Sequence, residues 1–458
     1  SAKLQQLEDH YFGTIKSRVL NFMNEVEREL WRLGIPAKTR HNEVAPAQFE
    51  LAPIFEDQNL SCDHNMLVME VLRQVASRNG LVCLLHEKPF AGVNGSGKHN
   101  NWSIAYGSMN LLNPGDNPHQ NAIFLTMLCA IIEAVDRHAD LIRASVAGAG
   151  NDHRLGANEA PPAIMSIYLG DQLTDIINQI ENGTLKCSKH ACPMNMGVDI
   201  LPQLPKDATD RNRTSPFAYT GGKFEFLAPG SSASCSAPNV VLNTIIAEAM
   251  NRIAGDLESG VQLEDILQGI VKKHKRVVFT GDGYKSDWLE EARKRKLPNA
   301  SSTPDALKAY LNSQNVELFD KLGVFSAREM ESRYEIAVED FAAKIHIEGS
   351  CALDMAKTLI LPAVKADYHD TVESYNMACA AKDEDGVKTL KTEMTALSSQ
   401  MAGFAAAVKN LENSLAGKSA LEIRAAMDAL RKIVDALELV VSDTRWPLPK
   451  YREMLFMY

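Results

Sequence analysis

The absences narrow the chain first. No apolar run is long enough to cross a bilayer and no secretory leader is recognisable, so a cytoplasmic protein without a membrane partner is expected. Positive charge is in deficit, with a net charge of −10, which argues against a sequence-independent nucleic-acid surface. There is no Gly-x-x-x-x-Gly-Lys-Ser/Thr loop, and no Gly-x-Gly-x-x-Gly follows a strand in a βαβ unit. A nucleotide, if bound, must use another scaffold. Of eight cysteines only Cys187 and Cys192 are near neighbours, with His190 between them. No second Cys/His pair stands at zinc spacing, so reduced, mostly buried thiols are expected. The chain opens on Ser1-Ala2 rather than methionine, as expected of a fragment or of a chain trimmed at its start.

At 458 residues the chain is too long for one core, and two or three packed units are expected. Residues 6–33 carry a helical stripe of Val19, Phe22, Met23, Val26, Leu30 and Leu33, stopped at Gly34-Ile35-Pro36. Residues 43–53 read as a strand broken by Pro46, residues 63–79 as an amphipathic helix, and Leu81–Leu85 as a strand. The strand is ended by Lys88-Pro89, because proline cannot donate to a ladder. Asn94-Gly95-Ser96-Gly97 then brings bare backbone close to any ligand, and His99 follows directly. By itself that stretch fits a metal-and-anion site and an ordinary turn equally well. Residues 119–146 read as one strong helix and 147–162 as a long functional loop. Lys223-Phe224-Glu225-Phe226-Leu227 alternates as a strand with Lys223, Glu225 and Leu227 on one face.

From about residue 240 the pattern is helical. Val387 to Leu415 and Ile423 to Val441 recur at alternating steps of three and four around a break at Gly417, predicting an antiparallel helical hairpin over 387–441. Intramolecular packing is its favoured role and a subunit contact the sharper alternative. The expected division is 1–255, 256–345 and 346–458.

Three carboxylates and one histidine stand out. Glu43 and Glu50 are seven residues apart, an odd spacing that a regular strand places on opposite faces. A bulge near Pro46 would bring them together. Glu225 between two phenylalanines is costly to bury without a cation. With His99 these residues suit Mg²⁺ or Mn²⁺, and paired ions of this kind serve phosphoryl transfer. Arg154, Arg211, Arg213 and Lys223 are candidates for holding phosphate oxygens.

Six motifs in order carry a family resemblance: His41-Asn42-Glu43-Val44-Ala45, Lys88-Pro89-Phe90 with Asn94 to His99, Asn151 to Leu155, Glu159-Ala160-Pro161, Arg211-Asn212-Arg213 and Lys223-Phe224-Glu225. The chain resembles glutamine synthetase, in its long type III bacterial form, over most of its length. The resemblance implies an α+β fold: a glutamine synthetase-like catalytic domain with a curved antiparallel sheet and flanking helices, then a helical C-terminal region. It implies ATP-dependent ligation of ammonia to glutamate through γ-glutamyl phosphate, in a large homo-oligomer of stacked rings. By resemblance, Glu43 and Glu50 hold one metal ion, and His99 and Glu225 the second. Asn94 and Gly95 lie against glutamate, Arg154 grips its carboxylate, and Glu159 closes the site and helps deprotonate ammonium. Arg213 stabilises the transferring phosphoryl group, and Ser103 and Lys223 match nucleotide-side positions. Three departures stand against it. The family's N-terminal domain and first metal-bearing strand would precede residue 1. Leu227 stands where the family usually has an arginine, and Asn101 where shorter members have a histidine. Competing readings are a related carboxylate-amine ligase or guanidino kinase, and a non-catalytic assembly subunit.

Overall fold

The computed structural model describes residues 10–86, 93–95, 97–156, 162–184, 193–194, 204–205, 215–281, 283, 286–450 and 453. The chain divides into two compact units, Ser1–Tyr334 with Tyr451–Tyr458, and Glu335–Lys450.

In the first unit the helix expected from residue 6 begins only at Ser17. A single 3₁₀ turn, His10–Phe12, precedes it, and Gly13 separates the two because glycine weakens a helix interior. Helix α1 (Ser17–Arg32) buries Val19, Met23, Val26 and Leu30. A hairpin follows, β1 (Ala37–Asn42) against β2 (Phe49–Pro53), where a single strand broken by Pro46 was expected. Helix α2 (Gln58–Arg78) packs Val68, Val71 and Val75 onto Val26, Leu30, Ile35 and Ala37, closing a small separate core. Residues 81–86 alternate as expected, with Val82 83% and Leu84 59% exposed, yet they join no ladder among the described residues. Alternation sets which side chains turn inward, but a strand also needs a partner for its backbone.

The larger core is built around α3 (Ala122–Arg137), buried nearly all round because it is apolar all round. The long helix expected over 119–146 is split: α4 (Ala139–Ser145) starts after His138. His138 is fully buried, its ring held between Asn315 Oδ1 (3.1 Å) and Glu248 Oε2 (3.0 Å). α5 (Ala149–Arg154) lies in the loop region.

The sheets are β3 (Asn100–Trp102), the pair β4 (Ala105–Tyr106) and β5 (Met109–Asn110), β6 (Ile167–Tyr168), the pair β7 (Pro193–Met194) and β8 (Leu204–Pro205), β9 (Phe217–Tyr219) and β10 (Phe224–Phe226). The central one has the order β3-β10-β9-β6, with β6 parallel to β9 and the other pairs antiparallel. Among the described residues the strands thus form several small sheets, one of them mixed. Phe217 stacks on Phe224 at 4.5 Å on the core face. α6 (Gly170–Glu181), α7 (Ser236–Glu258) and α8 (Leu263–His274) cover this core, and α9 (Ser286–Lys294), α10 (Thr303–Leu307) and α11 (Ser313–Lys321) complete the unit.

α12 (Ala327–Met355), a π-turn at Ala356–Ile360 and α13 (Leu361–Ala381) form one continuous helical run. The wide turn sits just before Pro362, which has no N–H for the i−4 carbonyl. In the second unit, α14 (Glu384–Leu415) and α15 (Ala420–Glu438) pack on one another. Asp383 caps α14, and Ser419 with Glu422 forms a capping box on α15. Of the two heptad rows one is more deeply buried: Leu397, Phe404 and Leu411 on α14, with Leu390 half-buried, and Ile423, Leu430 and Leu437 on α15. Gly349 admits α12 to this core. A Cβ there would stand 2.9 Å from an Ile423 methyl.

Charges pair between α3, α7, α8 and the turn that follows α8, the acids buried or half-buried and the arginines partly exposed. Arg252 bridges Glu133 (2.8 Å) and Glu248 (2.9 Å), and Asp136 accepts from His274 (2.8 Å) and Arg276 (2.8 Å). The hydrogen bond from His138, aided by Arg252, holds the Glu248 carboxyl down at about 2. A depressed carboxyl stabilises above its unfolded value and loses that contribution as pH falls through its folded one. Glu248→Gln is expected to cost about 1–3 kcal/mol at neutral pH. In urea midpoints taken across pH, the deficit should shrink between about 4.5 and about 2. A deficit independent of pH would mean that the charge of Glu248 contributes nothing.

Candidate functional site

The β1–β2 hairpin gathers the first cluster. His41 on β1 is directly opposite Glu50 on β2, so their side chains share a face. Glu43 lies two residues after His41, and alternation keeps it on that face. His41 Nε2 stands 3.3 Å from Glu50 Oε2 and 3.7 Å from Glu43 Oε1. One ligand atom from each of the three falls within 4.8 Å of the others. The bulge expected near Pro46 is therefore not the device. A turn over 43–48, closed by Glu43 N–H to Gln48 O (2.8 Å) and with Ala47 at φ 56°, reverses the chain instead. Three contacts brace the hairpin from outside: His10 N–H to Val44 O (2.9 Å), Asn42 Nδ2 to Gly13 O (2.6 Å), and Tyr11 edge-on to the His41 ring. In the sequence the signal for His41 is its two-residue step from Glu43. Among the described residues one other such group occurs, His369, Asp370 and Glu373 on α13, fully exposed and with Arg445 already on Asp370.

Gln48 Nε2 donates to Asn94 O (2.7 Å) and so attaches this hairpin to the glycine turn. The turn is in contact with an arginine. A Cβ built on Gly97 would lie 2.2 Å from Arg154 Cζ, so only glycine fits there. Arg154 is 2% exposed, and its guanidinium donates to Leu227 O (2.7 Å) and Pro229 O (3.3 Å). Lys98 N–H donates to the same Pro229 carbonyl (3.2 Å). α5, which carries Arg154, is itself anchored. Asn151 Nδ2 donates to Val146 O (2.7 Å) and Ala228 O (2.7 Å). Asp152 accepts from buried Arg143 (3.0 Å) and from the Thr303 hydroxyl (2.7 Å) and N–H (2.8 Å).

The central sheet supplies the second group. Glu225 on β10 pairs with Asn101 on β3, while Phe224 and Phe226 fill the core on the other side. Alternation one step beyond the paired residues places His99 and Leu227 on the Glu225 face, with Lys223 and Ser103 at its other end. Lys223 Nζ is 3.7 Å from Glu225 Oε1, as the shared face predicts, and donates to Thr220 Oγ1 (3.0 Å). Ser103 Oγ lies 2.9 Å from Asn110 Oδ1 and 3.0 Å from Gly222 O, beside an open cavity of about 330 Å³ lined by Trp102, Asn243, Ile246 and Met250. Leu227 is 8% exposed. Glu159, Arg211 and Arg213 lie outside the described residues.

Gly97→Ala is expected to displace the Arg154 guanidinium and to cost about 1–3 kcal/mol, the usual range for overpacking. Gly148→Ala, at an extended position with nothing within 4 Å of the added Cβ, should change the denaturation midpoint little. Equal midpoints for the two variants would show that Arg154 does not need the space.

Residues 3–149 match the model of the glutamine synthetase catalytic domain, and residues 262–378 that of the glutamine synthetase C-terminal domain. The chain is 47% identical to the type-3 glutamine synthetase of Dictyostelium discoideum, over 99% of this chain and 65% of that protein. It is 40% identical to the glutamine synthetase of Bacteroides fragilis, over 100% of this chain and 66% of the relative. For that of Butyrivibrio fibrisolvens the values are 41%, 100% and 68%. The chain thus spans about two thirds of the length of these relatives. Identity that runs along the whole of this sequence is decisive: the chain belongs to the glutamine synthetase family.

Proposed function

We propose that the protein of which this chain forms part ligates ammonia to glutamate at the expense of ATP, through γ-glutamyl phosphate. The observation that carries this reading is the His41–Glu43–Glu50 cluster, one hydrogen bond away from the glycine turn. Its donor set, two carboxylates and an imidazole, fits Mg²⁺ and still better Mn²⁺. Divalent ions at such sites offset charge on phosphate oxygens during transfer.

In this reading Glu43 and Glu50, with His41, hold one ion, and His99 and Glu225 the second. Lys223 neutralises Glu225 in the ion's absence, which its 3.7 Å approach supports. The backbone at Asn94 and Gly95 lies against glutamate. Ser103 and Lys223 stand on the nucleotide side, and the cavity beside Ser103 supports that placement. Glu159 acts on ammonium and closes the site, and Arg213 stabilises the phosphoryl group in flight. A carboxylate is a poor electrophile until phosphorylation gives it a leaving group, and excluding water protects the acyl phosphate. Arg154 receives a different role from the one its resemblance implies. With its guanidinium directed to the Leu227 and Pro229 carbonyls, it positions the turn rather than gripping substrate.

The assembly expected is a large homo-oligomer of stacked rings, with 1–255 catalytic, 256–345 a helical insertion, and the 387–441 hairpin a contact between subunits. The curved catalytic sheet would be completed by strands outside this chain. Within the described residues no helix is long and apolar enough to cross a membrane.

Two measurements test the reading. In the longer protein, phosphate release from ATP should require both glutamate and ammonium, and hydroxylamine in place of ammonium should yield γ-glutamyl hydroxamate. Phosphate release indifferent to glutamate would overturn the assignment. In this chain, His41→Ala and Glu43→Gln should each weaken Mn²⁺ binding about 10–100-fold by calorimetry. Isotherms identical to that of the unaltered chain would remove the cluster from the metal site.

A further inference from the structure

We propose that Cys62 and Cys235 are a peroxide-sensitive pair that closes to a disulfide, tying α2 to the first turn of α7 beside Lys98. Both are free thiols. Cys62 is half-buried on α2, and Cys235 is the N-cap of α7, 8% exposed. Asn239 connects them. Its side-chain Nδ2 donates to Cys62 Sγ at 3.4 Å, and it stands one helical turn after Cys235, to whose carbonyl its N–H donates in the ordinary i→i−4 bond (3.1 Å). Residues one turn apart on a helix carry their side chains on one face, so Cys62 Sγ meets the same patch of α7 that Cys235 occupies.

Lys98 belongs to this patch. Its ammonium donates to Asn65 Oδ1 (2.7 Å) and to the Ala233 carbonyl, with Met69 Sδ at 3.5 Å. Cys62, Asn65 and Met69 follow at steps of three and four along one face of α2. The thiols and the lysine are thus gathered where α2, α7 and the end of the glycine turn converge. Burial raises the Cys235 thiol, while Lys98 acts to lower it.

Partial exposure makes Cys62 the first site of attack. Its thiolate sulfur displaces hydroxide from hydrogen peroxide. The O–O bond breaks, sulfur is oxidised by two electrons to sulfenic acid, and peroxide is reduced. The Cys235 thiolate then attacks that sulfur. The S–S bond forms, the S–O bond breaks, and the leaving hydroxide takes up the proton that Cys235 released on becoming a thiolate and departs as water. In sum, two thiols and one peroxide give one disulfide and two waters. The metal cluster takes no part, so the proposal stands whether or not the functional reading above holds.

The test is non-reducing proteolysis and mass spectrometry of the chain after brief treatment with hydrogen peroxide. The expected product is a Cys62–Cys235 linked peptide that disappears with dithiothreitol. The oxidised chain should also melt at a higher temperature than the same sample after dithiothreitol, a comparison that needs no variant. Cys62→Ser and Cys235→Ala should each abolish both the linked peptide and the thermal shift. Recovery of Cys62 as a persistent sulfenic or sulfinic acid with Cys235 still a free thiol would overturn the proposal. So would a thermal shift that survives in either variant.

Discussion

The guanidinium of Arg154 is the contact on which the candidate site depends. It is buried beneath Gly97 and bonded to the Leu227 and Pro229 carbonyls, so it joins the glycine turn, the end of β10 and helix α5. Each of these segments is irregular where they meet, and irregular backbone leaves carbonyls that must find donors once water is excluded. A planar group with five N–H donors can serve several of them at once. The space for it exists because residue 97 has no side chain. The second layer follows the same logic. Asn151 serves two more carbonyls, and Asp152 is held by Arg143 and Thr303, so the arginine rests on a braced helix.

From that junction the chemistry-bearing groups extend in two directions. Through Gln48 and Asn94 the turn reaches the hairpin with His41, Glu43 and Glu50. Through β3 it reaches the sheet face that carries Glu225. The two groups lie far apart in sequence, and they are brought to one region by backbone carbonyls rather than by a shared hydrophobic core. The hairpin packs with α1 and α2 in a small core, while β10 belongs to the large core around α3. Rigid elements thus support the candidate ligands on both sides, and the irregular turn only has to bridge them.

Leu227 illustrates how a backbone role can persist when a side chain changes. Its carbonyl accepts from Arg154 and its N–H donates to Pro216 O (2.8 Å). Neither bond depends on which side chain residue 227 carries. A change of side chain at this position would therefore leave the scaffold in place.

What the sequence determined by itself was local. Periodicity located α1, α2, α3, α14 and α15, and alternation placed Lys223 and Glu225 on one face, because both depend only on neighbouring residues. The ordered motifs were enough to reveal the family. What only the tertiary structure decided was long-range. The step from Glu43 to Glu50 was resolved by a hairpin rather than a bulge, since turn closure depends on a bond from Glu43 to Gln48 that spacing does not encode. His41 joined the carboxylates because β1 and β2 pair in one particular register. Residues 81–86 keep their alternation without joining a ladder among the described residues, because pairing requires a second chain segment. Arg154 is buried against the Leu227 and Pro229 carbonyls, a contact that spacing could not show because those carbonyls lie more than seventy residues along the chain.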